Sequence, residues 1–337
     1  MKNIKYVLFI SILLLSESII SQNKLIDSLK TLLKENTEPL NTANTNINLG
    51  RVYRGISLDT SISYFKKGLR ISIDNNLKMH KTRAYGNLAV VNFFKNEIDS
   101  ANYYFDKAKE LIPEITDPFT LVSYYGDRGV VYMKEGNANQ AIEHYRIALK
   151  IAKDENRAND IILNSNNLGE ALSKSGRKDE AIGIFFEALS DARKRKDSIQ
   201  ISKIYNNLGS LYSEVNKDSI ALNYYIKALD LKIKLKNPVD IINGYFNLAS
   251  IQEDIAYAEN DSILLKEAEK NFLKTYELSK NSSYSQGIII GLESLGNIAR
   301  SKDFKLAEKR YTDLLNHSIK VNNQKYVATS LLHLDYL

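Results

Sequence analysis

Residue types that could carry out catalytic or metal chemistry are few in this sequence, and their spacing is unfavourable. The 337 residues include no cysteine and only four histidines, none of which has a metal-ligand partner at a repeated spacing. The glycines between Gly287 and Gly296 lack the following lysine and the preceding strand that a phosphate-binding loop needs. One local cluster of acids merits a test, and it comprises Glu253, Asp254, Glu259 and Asp261. We therefore predict a protein that is not an enzyme and that uses no cofactor or metal.

A regular series of asparagines is a more specific chemical signal. Its members recur about every forty residues, or at a multiple of that spacing, and they are Asn48, Asn87, Asn167, Asn207 and Asn247. Asp127 takes the remaining place in the series. An amide both donates and accepts hydrogen bonds, so a row of amides can pair with the backbone of an extended peptide. The alternative, of equal weight, is that the amides bond between adjacent helices or reflect an asparagine-rich composition.

The asparagines belong to an internal repeat that must position them. In the copy that begins at Tyr125, a small residue and a tyrosine follow at spacings of four and seven, and an alanine, an aromatic residue and a second alanine come later at the same spacings. These spacings place each group on one face of a helix, and Gly136 suits the turn between the two helices. Because a single helix pair cannot bury its apolar face, it needs neighbouring copies on each side.

The pattern resembles the tetratricopeptide repeat family. The family's first aromatic place is taken by Tyr85, Tyr125, Tyr205 and Tyr245, whereas Ser165 departs from it. The period of about forty residues is longer than the usual thirty-four. The resemblance covers nearly the whole chain, and it implies an all-α, right-handed solenoid of seven helix pairs plus a partial eighth.

The same resemblance implies where a ligand would bind. Some peptide-binding relatives hold a peptide with asparagines along the inner wall of the solenoid, which implies that role for the asparagine row. Other side chains at family groove positions would tune the binding, among them Arg83, Lys134, Lys174 and Lys203. Acidic residues occupy other groove positions, so the charges of the groove indicate no single class of ligand. No dense basic face with interleaved aromatic residues is visible in the sequence, so we predict a protein or peptide partner and no bound nucleic acid.

The first residues differ in composition from the rest. Residues 1–21 contain two lysines, an apolar run and a short polar end, which is typical of a cleaved secretory signal peptide, with an uncleaved anchor as the alternative. Residues 22–39 predict an amphipathic capping helix, and 40–323 predict the solenoid. Residues 256–265 contain an insertion, which we expect to be a longer loop between two helices.

The last residues, 324–337, predict the first helix of an incomplete eighth repeat with an uncovered apolar face. The sequence therefore favours an exported, periplasmic sensory region of a membrane signalling protein, such as a histidine kinase, truncated before its output domain. Membrane association would then come only from a missing C-terminal region or an uncleaved signal. A stand-alone exported scaffold for complex assembly is the alternative. A less favoured interpretation of the apolar end is that it closes a homodimer.

Overall fold

The computed structural model describes residues 24–35 and 37–337, and within them it contains α-helices, one 3₁₀ turn and no strand. The predicted signal peptide lies outside the described residues. The helices are α1 (24–35), α2 (Pro39–Tyr53), α3 (Leu58–Asp74), α4 (Lys78–Phe94), α5 (Ile98–Leu111), α6 (Pro118–Lys134), α7 (Ala138–Asp154), α8 (Ala158–Lys174), α9 (Lys178–Lys194), α10 (Ser198–Glu214), α11 (Asp218–Leu235), α12 (Pro238–Glu259), α13 (Ser262–Asn281), α14 (Ser285–Arg300), α15 (Phe304–Lys320) and α16 (Gln324–Asp335). None of these helices combines the length and the apolar composition needed to cross a bilayer.

The helices pack in sequential pairs, and the chain divides into two compact units, with the division between Ala188 and Leu189. In the first unit α2 packs on α3, α4 on α5 and α6 on α7, and contacts of α3 with α4 and of α7 with α8 join successive pairs. In the second unit α10 packs on α11, α12 on α13 and α14 on α15, and α16 continues the series on α15. The predicted all-α solenoid of helix pairs is confirmed.

Close contact between the two helices of a pair depends on a residue without a large side chain. A Cβ atom added to Gly129 would lie 2.5 Å from the ring of Tyr145, and one added to Gly169 would lie 2.6 Å from the ring of Phe185. The aromatic ring of the second helix therefore sits directly on the backbone of the first helix. The alanines that flank each ring in the repeat pattern, such as Ala141 and Ala148, are fully buried. The small and aromatic positions of the repeat thus form its core.

Within several helix pairs, a residue in the left-handed backbone conformation follows the first helix of the pair, and these residues recur at a regular interval. They stand forty residues apart in four successive pairs and are Asn96, Gly136, Gly176 and Asn216. At the first of these turns the N–H of Glu97 donates to the carbonyl of Asn92 at 2.9 Å, and the N–H of Asn96 donates to that of Phe93 at 2.9 Å. This bonding satisfies carbonyls that the helix end would leave open. The turn predicted at Gly136 is present, with φ of +80°.

The structure differs from the sequence interpretation at the insertion. No long loop is present at 256–265, because α12 extends to Glu259 and α13 begins at Ser262. Asn260 adopts a left-handed conformation, and the carboxylate of Asp261 accepts hydrogen bonds from the N–H groups of Ile263 and Leu264. The turn is therefore closed by local bonding, and the extra residues lengthen the two helices.

The two ends of the described chain are only partly covered. In α1, Ile26 is buried, whereas Leu25 is half exposed; the ammonium of Lys30 lies 5.9 Å from the ring centroid of Tyr53 in α2. In α16, Leu334 packs against the core of α14 and α15. Leu331 remains 53% exposed. The apolar face that the sequence predicts at this end is therefore divided between a packed part and an exposed part.

Candidate functional site

The first helices of successive pairs lie beside one another. In the first unit α2 contacts α4, α4 contacts α6, and α6 contacts α8. In the second unit α12 contacts α14. We call the surface formed by α2, α4, α6 and α8 the first-helix face. It is the part of the first unit on which the sequence predicts a row of amides.

The amides of the first-helix face fall into two groups. Asn87 is buried: its Nδ2 donates to the carbonyl of Arg83 at 2.8 Å, and its Oδ1 accepts from Nε of Arg51 at 3.4 Å. Asn48 and Asn167 are half-buried, and the side chain of neither makes a hydrogen bond to another described residue. Asn87 therefore serves the packing of helices, whereas the other two amides retain their bonding capacity.

In the second unit, amides bond between helices. Nδ2 of Asn247 in α12 donates to Oδ1 of Asn206 in α10 at 2.7 Å, and Nζ of Lys232 donates to the same oxygen at 3.0 Å. Burial lowers the pKa of Lys232. Asn207 is half-buried and has a partner. For Asn247 the structure thus shows the inter-helix bonding that the sequence left as an alternative.

The three predicted lysines of the groove lie at the surface. Lys134 and Lys203 are exposed. Lys174 is also exposed, and its ammonium lies 3.6 Å from a carboxylate oxygen of Glu170 in the same helix. Surface pairs of this kind contribute little to stability. Of the four basic residues predicted in the groove, only Arg83 joins a wider network.

That network surrounds the ring of Phe119, at the start of α6. The guanidinium carbons of Arg83, Arg157 and Arg51 lie 4.6, 5.0 and 5.2 Å from its centroid. All three guanidinium carbons lie near the same ring centroid, so any two of them are separated by at most the sum of their distances to it. Arg51 comes from α2, Arg83 from α4, and Arg157 precedes α8. The ring thus gathers cations from each of the other helix pairs of the first-helix face.

Two of the three arginines are paired with acids. Arg83 contacts Asp117 at 2.9 Å and donates from Nε to the hydroxyl of Thr120 at 2.7 Å, and Arg157 contacts Asp160 at 2.6 Å. Burial raises the pKa of Asp117, but hydrogen bonds from Thr120 and the bond and charge of Arg83 outweigh it and hold the pKa below its usual value. Within the described part of the chain, Arg51 makes no ion pair with a carboxylate.

Asp127 is the acid whose charge acts on Arg51. It is half-buried in α6, and burial raises its pKa to about 6, against the opposing attraction of Arg54 and Arg51. Burial also lowers the pKa of Arg51, although the charge of Asp127 partly offsets this. The position that carries asparagine in five other repeats is therefore occupied by a carboxyl group whose pKa burial raises to about 6.

The sequence did not single out Arg51, Phe119 or Arg157. They occupy different positions within their repeats, so no periodic signal joins them to Arg83. Only the stacking of helix pairs brings them to one ring. Arginine and phenylalanine at these positions are also common packing residues, so nothing in the sequence alone marks them.

The acids near the insertion do not form a metal centre. Asp261 caps α13 through backbone N–H groups, and Glu259 is exposed. Burial, and to a lesser extent the charge of Asp254, raises the pKa of Glu253 to about 7. Among residues 24–35 and 37–337 there is no group of three histidine, cysteine or acidic side chains that could hold a metal ion.

Comparison with known proteins finds one matching family model and several similar folds. The family model of the tetratricopeptide repeat matches residues 119–194 and 161–234. No curated protein matches the sequence at a significant level.

Several solved structures have a similar fold. The apo form of RapI has a TM-score of 0.63 at 17% identity, and the match covers 95% of this chain and 90% of RapI. PH0952 of Pyrococcus horikoshii, a signal transduction ATPase with a tetratricopeptide repeat sensor, has a TM-score of 0.66 at 17% identity, over 86% of this chain and 44% of PH0952. The Rap conjugation gene regulator of plasmid pLS20, in complex with a Phr peptide, has a TM-score of 0.54 at 14% identity, over 94% and 95% of the two chains. Identities this low show likeness of fold alone. The family model thus covers residues 119–234, and the solved structures show a similar fold over most of the chain.

Proposed function

We propose that this chain is a non-enzymatic scaffold that binds an extended peptide, or an extended segment of a protein, along the first-helix face. The observation that carries the proposal is the pair of half-buried amides of Asn48 and Asn167, which make no side-chain hydrogen bond to another described residue. Each stands at the same position of its repeat. An amide in this state can both donate to and accept from a peptide backbone.

The comparisons support a binding role. The Rap regulator of pLS20 has a similar fold over almost its whole length and is bound to a peptide. Its fold presents paired helices in series, as this chain does. A peptide that lies across several first helices would contact the amides at intervals, and its backbone groups would form hydrogen bonds with them.

Selection of displayed random dodecapeptides on the purified protein, followed by calorimetric titration of the recovered peptides, tests the proposal. Replacement of Asn48 or Asn167 by alanine should weaken binding about fivefold, because one net hydrogen bond contributes about 1 kcal/mol. Asn139 is exposed on the second helix of its pair, so Asn139→Ala is a matched control that should leave the affinity unchanged. Failure to enrich any peptide, or peptides that bind the Asn48→Ala/Asn167→Ala double variant as tightly as the wild type, would contradict the proposal.

We further propose that the protein acts outside the cytoplasm, as the periplasmic sensory region of a membrane signalling protein. The composition of residues 1–21 supports export. The tetratricopeptide repeat sensor of PH0952 provides an example of a similar fold in a signal transduction protein. A stand-alone exported scaffold for assembly of a complex is the second candidate.

Export and signalling have separate tests. Alkaline phosphatase fused after Leu337 should be active in cells only if the chain is exported, and deletion of residues 1–21 should abolish that activity. An in-frame membrane helix and output domain downstream of Leu337 in the coding region would favour the sensory role. A stop codon there would favour the stand-alone scaffold.

A further inference from the structure

Two successive turns of the second unit carry an excess of basic residues. Residues 193–199 end α9 and begin α10, and they contain four basic residues and one acid. Residues 233–239 end α11 and begin α12, and they contain two lysines and no acid. The corresponding turns of the first unit, at 73–79, 113–119 and 153–159, contain no more basic than acidic residues. The excess is therefore a property of these two turns and not of the repeat.

The two turns lie at the same end of neighbouring helices. Short turns join α10 to α11 and α11 to α12, and each helix packs on the next, so α10 and α12 run in the same direction. Nδ2 of Asn247 in α12 donates to Oδ1 of Asn206 in α10 at 2.7 Å, which places these two helices side by side. The starts of α10 and α12 thus lie at one edge of the unit. We call the exposed side chains of residues 193–199 and 233–239 the basic rim.

Most cations of the basic rim have no carboxylate partner. Lys194 lies 3.3 Å from a carboxylate oxygen of Asp191, and Arg193 donates to the hydroxyl of Tyr205 at 2.8 Å. The other four cations are exposed and make no ion pair with another described residue, and they are Arg195, Lys196, Lys234 and Lys236. The rim therefore presents positive charge to the solvent.

The acids near the basic rim do not cancel this charge. Residues 190–200 and 230–240, which include the flanking aspartates, contain seven basic residues and four acids. One of these acids, Asp197, caps α10 with its carboxylate, and the charge of Asp240 acts on the buried ammonium of Lys232. A net positive charge of three remains at this edge of the unit.

The backbone of the two turns gives a second, independent indication. Lys196 and Lys236 adopt the left-handed conformation, with φ of 56° and 60°. Two corresponding positions in the first unit carry Asn76 and Asn156, with φ of 52° and 50°. Asparagine adopts this conformation more readily than lysine does, so the local backbone favours asparagine at both turns. The charge of lysine, and not the local fold, therefore accounts for its presence there.

Aliphatic side chains are exposed among these cations. Ile199 is 53% exposed, and Val239 is exposed at the same position of the next repeat, second in its helix. Ile233 and Leu235 flank Lys234 and are also exposed. Contact of these apolar groups with water is unfavourable, so a partner that removes them from water would be stabilised. The rim thus combines cations with apolar groups that an apolar phase would accept.

We propose that the basic rim binds the surface of an anionic lipid bilayer. The phosphate groups of such a surface attract basic side chains, and aliphatic side chains beside them enter the boundary between headgroups and acyl chains. Nucleic acid fits less well, because the two turns contain no aromatic residue on which a base would stack. This contact adds a route of membrane association to the two that the sequence predicts. It does not require the scaffold function, because Asn48 and Asn167 belong to the first unit.

Co-sedimentation with lipid vesicles measures this binding. The whole chain is incubated at low salt with vesicles of equal parts phosphatidylglycerol and phosphatidylcholine, and with vesicles of phosphatidylcholine alone. The assay is repeated without residues 1–21, because the predicted signal peptide would itself bind lipid; every described residue is retained. We expect the shortened chain to bind the mixed vesicles at least about tenfold more tightly than the neutral ones, and high salt to abolish this preference.

Two double variants separate the charges from the aliphatic side chains. Lys196→Asn/Lys236→Asn should weaken binding to the mixed vesicles about twentyfold, because each lysine near an anionic surface contributes about fivefold. Asparagine suits both turns, so the melting temperature of this variant should not fall. Ile199→Ser/Val239→Ser should weaken binding about tenfold at constant charge, because less apolar area enters the bilayer.

Matched controls lie at the opposite edge of the same unit, where α11 and α13 begin. Lys217→Asn/Lys266→Gln removes two positive charges from exposed side chains, as the first rim variant does. Ile220→Ser/Ile263→Ser removes two exposed aliphatic side chains, as the second does. Both controls should bind the mixed vesicles as tightly as the wild type.

Equal binding to the two kinds of vesicle would overturn the proposal. An equal loss of binding in the rim variants and the controls would also overturn it, because net charge alone would then explain the attraction. Unchanged vesicle binding of Lys196→Asn/Lys236→Asn would show that these lysines only solvate the turns. Tighter binding of duplex DNA than of the mixed vesicles would replace the bilayer by a nucleic acid. None of these outcomes alters the peptide selection that depends on Asn48 and Asn167, so the scaffold function fails separately.

Discussion

Asp127 occupies a position at which five other repeats carry asparagine, and its burial disfavours the ionised form of its carboxyl group. Burial raises its pKa to about 6, above its ordinary value of 3.8. The folded protein therefore holds a proton on this group between roughly pH 4 and 6 that the unfolded chain has released. Stability from this group is present below that window and is lost as the pH rises through it.

Asp127→Asn should accordingly raise the free energy of unfolding above pH 7, by about 1 kcal/mol, because solvent that reaches the half-buried carboxyl reduces the effect below the full linkage value. At pH 4 the variant and the wild type should be nearly equal. Urea unfolding at a series of pH values measures this difference. A stability difference that is constant with pH would show that the carboxyl ionises normally, and one of the opposite sign at pH 8 would show that the fold stabilises its charged form.

At this scale, sequence reasoning was only partly informative. The repeat predicts which positions carry amides, but it does not say which amides find partners. Asn87 meets Arg51 of the preceding repeat, and Asn247 meets Asn206. These contacts depend on partner side chains that lie 36 and 41 residues away in the sequence. The Phe119 cluster escaped prediction for the same reason.

At the scale of the helix pair, the fit between a small residue and an aromatic ring sets the distance between helices. The Cβ that Gly169→Ala would add lies 2.6 Å from the ring of Phe185, on the buried side of α8. The ring must shift within a packed core, so we expect the substitution to cost about 1–3 kcal/mol. Gly183 is exposed on α9 and has no atom within 4 Å of an added Cβ, so it is the matched control.

Gly183→Ala should be neutral or stabilising by up to about 1 kcal/mol, because alanine favours the helix more than glycine does. Chemical denaturation of the two variants in parallel measures both effects. Equal changes at the two sites would mean that the ring of Phe185 does not rest on Gly169 in solution.

The arrangement of the helices in pairs was the feature that the sequence predicted best. Small and aromatic residues at fixed spacings report close packing directly, which is why the repeat and its order were predictable. The long loop expected near residue 256 was not, because the pattern counts residues between helices without showing whether they are helical. Asn260 and Asp261 close that connection with two residues. Asparagine at the turns, as at Asn96 and Asn216, carried a signal that went unused: it adopts the left-handed conformation more readily than most residues.

At the scale of the whole chain, a series of helix pairs is stabilised by contacts between neighbours and not by one central core. Phe65 is fully buried between α2, α3 and α4, where it contacts residues such as Ile47 and Leu88. Tyr311 is fully buried in the last pair. In such an array, damage to one pair should remain near it and should diminish with each further pair.

Phe65→Ala should cost about 3–5 kcal/mol, the usual loss for a buried phenylalanine, and that loss should be confined to its neighbourhood. In native-state hydrogen exchange we expect the amides of α2 and α3 to lose most protection, those of α4 to lose less, and those of α14 and α15 to remain as in the wild type. Tyr311→Ala should give the reverse pattern. Uniform loss of protection along the chain in both variants would mean that the protein unfolds as a single cooperative block, and a ligand bound at the first-helix face would then stabilise every repeat equally.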